Sequence, residues 1–160
     1  MATDYFLKIA GVEGEATDEK HKGEIEIHSF SWGEVQPGTA GHGGGAGAAK
    51  VQKQDFAFMK QMDKSSPKLM IACATGEHFK NAVLTVRKAG GDQQDYLKIN
   101  MEELIVSSYT TNGGAGEPIP AESVTLNFVK LEMSYKEQKP DGSLGGEVKQ
   151  KYDFGANKKV

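Results

Sequence analysis

The sequence predicts an all-β domain, two packed β-sheets forming a barrel with one short helix, and three observations point to it. Apolar residues recur mostly at every second position, the period of a half-buried strand. In three long segments this alternation reverses partway along: Ile25 and Ile27 give way to Phe30 and Trp32, Leu97, Ile99 and Met101 to Leu104 and Val106, and Leu126 and Phe128 to Val129, Leu131, Met133 and Tyr135. A strand that changes its buried face needs a bulge or sharp coil, and it can serve one sheet with its first half and a second sheet with the other. The same pattern also arises where one face is buried in the core and the other against another protein. Only one segment carries both a helix start and a helix stop.

Tyr5 to Ile9 reads as a first strand, followed by a polar turn region from Gly11 to Lys20 and a long bent strand from about Gly23 to Val35. The segment Gln36 to Ala49, QPGTAGHGGGAGAA, has six glycines and no large apolar side chain to anchor it to its own core. Long loops of this kind are uncommon in compact domains and tend to be functional or to order against a partner. Lys50 to about Met59 is the next strand. Ser66 as N-cap and Pro67 at the first helical position open a helix through Leu69, Met70, Ala72 and Cys73 that Gly76 stops. Strands follow at about His78 to Lys88, Asp95 to Tyr109, Ser123 to Glu137 and Val148 to Phe154, with a Pro140-Asp141-Gly142 turn before the last. With no repeat and no linker, residues 1–160 form one domain.

Composition narrows the function. Hydrophobic residues make up 38% and charged residues 26%, enough for a folded chain with a thin, sheet-rich core. Glycine is in excess, 20 residues where average usage gives about 11. A net charge of −3 and the lack of a long basic run disfavour nucleic acid and anionic lipid. Cys73 is the sole cysteine, so no intrachain disulfide forms and folding in a reducing cytoplasm fits. The N-terminus lacks a basic segment and a signal-length apolar run, and no segment is long enough to insert in a membrane, so export would bypass the signal-peptide route.

The chemical motifs each have a plainer reading. Gly43 to Ala48 spells G-x-G-x-x-A but opens no helix, so the phosphate-cradling geometry is missing. Ser65 to Lys68 matches S-x-x-K without its companion motifs, and Asp153-Phe154-Gly155 stands without any other kinase signature. Glu24, Glu26 and His28 would share one side of a strand, which suits a solvated or interface face better than a metal. His42 lies in the glycine loop, Cys73 has no identifiable base, and Glu102 and Glu103 point to opposite faces. The sequence therefore predicts no enzyme, no cofactor and no metal. Trp32 and Phe30 form a large apolar face, read as core packing or as a subunit contact.

The segments YFLKIAGVEGE (Tyr5–Glu15), HKGEIEIHSFSWG (His21–Gly33), DKSSPKLMIACATGEHF (Asp63–Phe79), TVRKAGG (Thr85–Gly91), LIVSS (Leu104–Ser108) and NFVKLEMSY (Asn127–Tyr135) together resemble the Hcp (haemolysin-coregulated protein) family, the inner-tube proteins of bacterial type VI secretion. The resemblance implies a two-sheet barrel with a flanking helix, six copies closing head to tail into a hexameric ring, and rings stacking into a tube propelled by a contractile sheath. It implies association with the spike protein at the tube tip, carriage of small effectors in the lumen, and passage from the cytoplasm to the outside or a target cell without a signal peptide. A head-to-tail ring needs two different complementary faces per subunit. For stacking, the candidates are Thr39, Gly41, His42, Gly43, Gly44, Gly45 and Gly47, whose backbone can conform to a neighbouring sheet edge, with Gly90 and Gly91 at a hairpin tip and the tail after Phe154. Gly113, Gly114, Ala115 and Gly116 are the candidates for facing the lumen, where small side chains leave room for cargo; an ordinary exposed turn is the plainer reading. Two rival functions remain: a monomeric barrel holding a small ligand inside, which requires an internal apolar cavity, and a hydrolase with a site assembled from distant residues such as His28 and Ser31, which requires turnover that is lost on replacing either.

Overall fold

A computed structural model describes residues 3–38, 50–88 and 93–160. In chain order these form β1 (Thr3–Ile9), β2 (Ile25–Ile27), β3 (Ser29–Ser31), β4 (Glu34–Val35), β5 (Gln52–Lys53), β6 (Phe56–Gln61), α1 (Ser66–Thr75), β7 (His78–Lys88), β8 (Asp95–Asn112), β9 (Ala121–Gln138), β10 (Leu144–Asp153) and β11 (Lys158–Lys159). The expected single strand from Gly23 to Val35 is thus three short ones, and the reason is a change of partner. Tyr5 to Leu7 of β1 pair with β2, whereas β3 pairs with β6. His28 is the corner, its backbone N–H donating to the Met59 carbonyl at 2.7 Å.

The main sheet has nine strands in the order β11-β10-β9-β8-β7-β1-β2, with β6 bridging β9 and β3, while β4 and β5 form a separate ribbon. Eighteen residues long, β8 and β9 pair along almost their whole length and run through both layers. On its other side β9 gives Ala121 to Leu126 to β6 and Lys130 to Gln138 to β10. One layer is therefore β3-β6-β9-β8, the other β2-β1-β7-β8-β9-β10-β11, and the barrel is completed by the chain itself passing from β2 to β3 rather than by an unbroken ladder.

The reversals of apolar phase fall on one line. Phe79 pairs with Leu104 and Leu104 with Phe128; two residues on, Asn81 pairs with Glu102 and Glu102 with Lys130. Between these rows the buried set on β7 changes from Phe79 to Ala82, Leu84 and Val86, that on β8 from Ile99 and Met101 to Leu104 and Val106, and that on β9 from Val124, Leu126 and Phe128 to Leu131. The register is unchanged across the line, so no residue is inserted there. Instead Glu103 takes a left-handed backbone, φ 55°, which turns the following residues to the opposite face.

Phe56, Phe58, Phe128, Leu7, Ile9, Leu84, Met101, Leu104 and Leu126 fill the space between the layers, each less than 2% exposed. Leu69 and Ala72 dock α1 on this core. Gly76 ends the helix as expected, with φ 69° and its N–H on the Ala72 carbonyl at 3.0 Å. The start differs by one residue: Ser65 is the cap and Ser66 lies within the first turn, because the Ser66 hydroxyl is held by Glu122 from β9.

Candidate assembly surfaces

Beyond the barrel, β9 and β10 carry the core-side face of the sheet out into solvent as a wing. Residues paired across antiparallel strands share a face. Leu131, Met133 and Tyr135 therefore continue the buried row of Met101, Ile99 and Leu97, and Tyr152, Gln150 and Val148 extend it one strand further. On the barrel this row is covered, but on the wing Val148 is 65% exposed, Tyr135 46% and Met133 39%. Trp32, Leu131, Tyr152 and Phe154 floor an apolar hollow at its base, rimmed by Glu34, Lys151 and Lys159. The Trp32 ring leans on Phe128 at 6.2 Å, and its indole N–H is buried with no partner among the described residues. Lys53 lies 4.7 Å over the Phe128 ring, where burial pushes its ammonium pKa down. The outer edge of β10 pairs with β11 at Tyr152 and Asp153 and accepts the Val160 N–H at the Lys151 carbonyl, leaving Leu144 to Gln150 without a neighbouring strand among the described residues.

On the opposite edge of the same sheet, β1 and β2 border a cleft of about 290 Å³ with Tyr5, Ile27, Met62 and Ile119 on its walls and Asp4, Glu15, Glu26 and Asp63 around it. Asp4 is paired with Arg87 at 3.1 Å and Asp63 with Lys60 at 2.9 Å, whereas Glu15 and Glu26 are exposed and unpaired among the described residues. His28 and Glu26 line this cleft together, but Glu24 turns away to His21, so the three side chains the sequence sets on one strand side do not converge. Among the described residues no group of three or more His, Cys, Asp or Glu side chains is placed to hold a metal.

The outer face of β3-β6-β9-β8 is of a third kind. Register sets Ser29 and Ser31 beside Met59 and Ala57, then Ser123 and Thr125, then Thr110 and Ser108. Thr125 shares hydrogen bonds with Ser107 at 2.7 Å and Ser108 at 2.6 Å, while Asp55 accepts from Ser107 at 2.7 Å and Asn127 at 2.8 Å. The surface is polar and nearly uncharged. Gly113, Gly114, Ala115 and Gly116 form the exposed turn between β8 and β9 at its end. Thr39, Gly41, His42, Gly43, Gly44, Gly45, Gly47, Gly90 and Gly91 lie outside the described residues. The β4–β5 ribbon, Glu34 opposite Lys53 and Val35 opposite Gln52, is the stem of the glycine-rich segment.

Two buried polar clusters hold these surfaces in place, and sequence reasoning missed both. Lys60 and Glu122, each wholly buried, face each other across β6 and β9, and the Lys60 ammonium also donates to the Gln61 carbonyl, Asp63 and Ser66. Their strand parity was the available signal: Lys60 continues Phe56 and Phe58, and Glu122 precedes Val124 and Leu126. Burial first and Glu122 second push the Tyr109 phenol beside them up to about 12. In the other cluster Arg87, 2% exposed, forks onto both Asp18 carboxylate oxygens at 2.9 and 2.7 Å and lies 4.9 Å over the Phe6 ring. That pairing lowers the Asp18 pKa from 3.8 to about 2. His21 stacks on Phe6 at 4.4 Å and reaches Glu24 at 2.8 Å and Asp95 at 3.3 Å. The segment from Ala10 to Glu24 is thereby strapped across β1 and β7 to the start of β8.

The profile of the family described as "Type VI secretion system effector, Hcp" matches residues 6–135. The chain is 47% identical over 159 residues to Protein hcp1 of Pseudomonas aeruginosa, covering 98% of both chains. Among solved structures, one described as a type six secretion system protein superposes with a TM-score of 0.93 at 30% identity, covering 99% of this chain and 100% of the other. Hcp1 of Salmonella typhimurium gives 0.84 at 39% identity, with both chains fully covered. A continuous match over this much of the sequence, on the same bent two-layer sheet, shows that the chain belongs to the Hcp family of type VI secretion proteins.

Proposed function

We propose that this chain is the building block of a type VI secretion inner tube: six copies close head to tail into a ring, rings stack into a tube, and the contractile sheath drives that tube, tipped by the spike protein, out of the cytoplasm without a signal peptide. Family membership supports the role. The observation that carries the assembly is the wing, where a row of side chains buried inside the barrel continues uncovered over Met133, Tyr135 and Val148 beside the open edge of β10. Exposed apolar area next to unpaired backbone favours association, at roughly 25 cal/mol per Å² of apolar surface removed from water. The barrel interior is packed with large side chains, which opposes the reading as a monomeric ligand carrier.

The glycine-rich segment containing Thr39, Gly41, His42, Gly43, Gly44, Gly45 and Gly47, with Gly90 and Gly91, is our candidate for contact between stacked rings. The hydroxyl-bearing face ending in Gly113 to Gly116 is our candidate lumen wall, being neither charged nor greasy enough to trap a passing effector. Light scattering with negative-stain imaging tests the central reading: a mass near six times 17.3 kDa with ring-shaped particles is expected, and a well-folded monomer at every concentration overturns it. Deleting Thr39 to Gly47 should leave rings that no longer stack; normal stacking rejects the loop assignment.

A further inference from the structure

We propose that Asn112, followed by Gly113 in the turn after β8, is a site of spontaneous deamidation through a cyclic imide, which leaves a mixture of aspartate and isoaspartate at that position. The chemistry needs no partner protein, so it stands apart from the ring reading above.

The chain has five asparagines, and only Asn112 precedes a glycine. Closing the imide requires the main-chain nitrogen of the next residue to reach the side-chain carbon Cγ, and a glycine, having no Cβ, permits that close approach. Both reacting groups are free. Asn112 and Ala121 are the last pair of the β8–β9 ladder, so the Gly113 N–H lies beyond it and donates no hydrogen bond among the described residues. Side-chain bonding on this strand stops at Thr111, whose hydroxyl donates to the Ala121 carbonyl; the exposed Asn112 carboxamide has no partner among the described residues. No heavy atom lies within 4 Å of where a Cβ would sit on Gly113 or Gly114, so the ring has room to form.

The other asparagines lack one or more of these conditions. Asn81 and Asn100 are paired in mid-strand, Asn127 donates to Asp55 at 2.8 Å, and Asn157 precedes Lys158, which carries a side chain. Asp141-Gly142 could close the same imide, but there both groups are engaged. The Gly142 N–H donates to the Lys139 carbonyl at 2.9 Å, and the Asp141 carboxylate accepts the Ser143 hydroxyl at 2.6 Å and N–H at 2.9 Å. Those bonds hold the Asp141 carboxyl below its ordinary value, in the ionised form that is a poor electrophile.

The Gly113 nitrogen gives up its proton and bonds to Asn112 Cγ; the Cγ–Nδ2 bond breaks, and the amide nitrogen takes up a proton and leaves as ammonia. Water then opens the imide. Cleavage of the new bond gives aspartate, and cleavage of the original peptide bond gives isoaspartate, with Gly113 nitrogen recovering a proton either way. Each product adds one negative charge to the end of a face that carries almost none, and no step restores the amide, so the charged fraction records the age of the folded chain.

The test holds purified full-length protein in warm, mildly alkaline buffer and follows its tryptic peptides by mass spectrometry. The peptide Ile99–Lys130 contains Asn100, Asn112 and Asn127, which fragmentation tells apart. Asn112 should gain the mass of an amide-to-acid exchange and split into two chromatographic species, faster as pH rises, while Asn127, Asn157 and Asp141 stay single. Gly113→Ala, whose methyl meets open space, should keep the parent's circular dichroism spectrum and slow the change about tenfold, the effect of a barrier higher by about 1.4 kcal/mol. An unchanged Asn112, equal rates at Asn127 or Asn157, or a Gly113→Ala variant that folds and deamidates at the parent's rate overturns the assignment.

Discussion

Replacing Lys60 with Met removes the only cation beside Glu122 among the described residues, and the geometry sets the scale of the damage. Lys60 and Glu122 are both wholly buried, with the ammonium 3.3 Å from Glu122 Oε1 and Glu122 Oε2 lacking a hydrogen bond among the described residues. Removing one member of a buried pair strands the other, at about 3–5 kcal/mol, whereas replacing both with apolar side chains of similar size is often near neutral. Lys60→Met, which leaves Glu122 without a cation among the described residues, should cost about 3–5 kcal/mol, a large share of the 5–15 kcal/mol typical of a domain, and Glu122→Leu less, because Lys60 keeps its ion pair with Asp63 at 2.9 Å. The corresponding fall in melting temperature is about 6–20 °C for a chain this long. The double variant should cost less than Lys60→Met, because Asp63 keeps the Ser65 N–H at 2.9 Å and some solvent, and Ser66 keeps the Asp63 N–H at 3.0 Å. The assay is urea unfolding of all four proteins at one protein concentration, since assembly would shift the apparent stability. A Lys60→Met variant that loses less than 1 kcal/mol, or a double variant that loses the sum of the two, would refute the claim that burial makes this pair obligatory.

Asp18 predicts a pH dependence: its carboxyl titrates near 2 when folded against 3.8 otherwise, so the unfolded chain binds the extra proton between those values. The stability it contributes is complete above about pH 4 and lost as pH falls toward 2, and acid-unfolding curves of Asp18→Asn should be flatter in that window. Gly14→Ala should destabilise by about 1–3 kcal/mol in denaturant titration, because an added Cβ would lie 2.4 Å from the Glu24 carbonyl oxygen, a backbone atom with no rotamer to retreat to. Val148→Asp places a charge on a side chain 65% exposed in the single subunit, so light scattering should show loss of rings while the circular dichroism spectrum stays that of the parent.

Legibility in the sequence followed the range of the interaction. Period-2 alternation is local, so every strand region except the two-residue β11 was readable, and each reversal of phase marked a real change of buried face, as at Phe30 and Leu104. What the reversals could not tell was that they align. That depends on pairing Phe79 with Leu104 and Leu104 with Phe128, contacts between residues far apart in the chain. The same distance hid the clamps: His21 meets Asp95 across 74 positions and Arg87 meets Asp18 across 69. Ser66 shows the limit on a smaller scale, since its cap-like sequence context was overridden by a tertiary hydrogen bond to Glu122.

The line through Glu103 also explains why the wing exists. If β7, β8 and β9 kept one buried face throughout, a single layer would cover all of it, and strands of eighteen residues would have no second layer to serve. Reversing the face at one line lets the later part of β8 and the earlier part of β9 close over the core with β6, while the rest of both strands keeps the other layer in register. The change of layer frees one side of β9 beyond Lys130 for β10 instead of β6. Apolar residues there still follow the parity of the core row, yet among the described residues no strand of the same chain lies over them. An uncovered face thus follows directly from how the strands are shared, and it lies at the far end of the sheet from β1 and β2, the separation that a head-to-tail contact between copies requires.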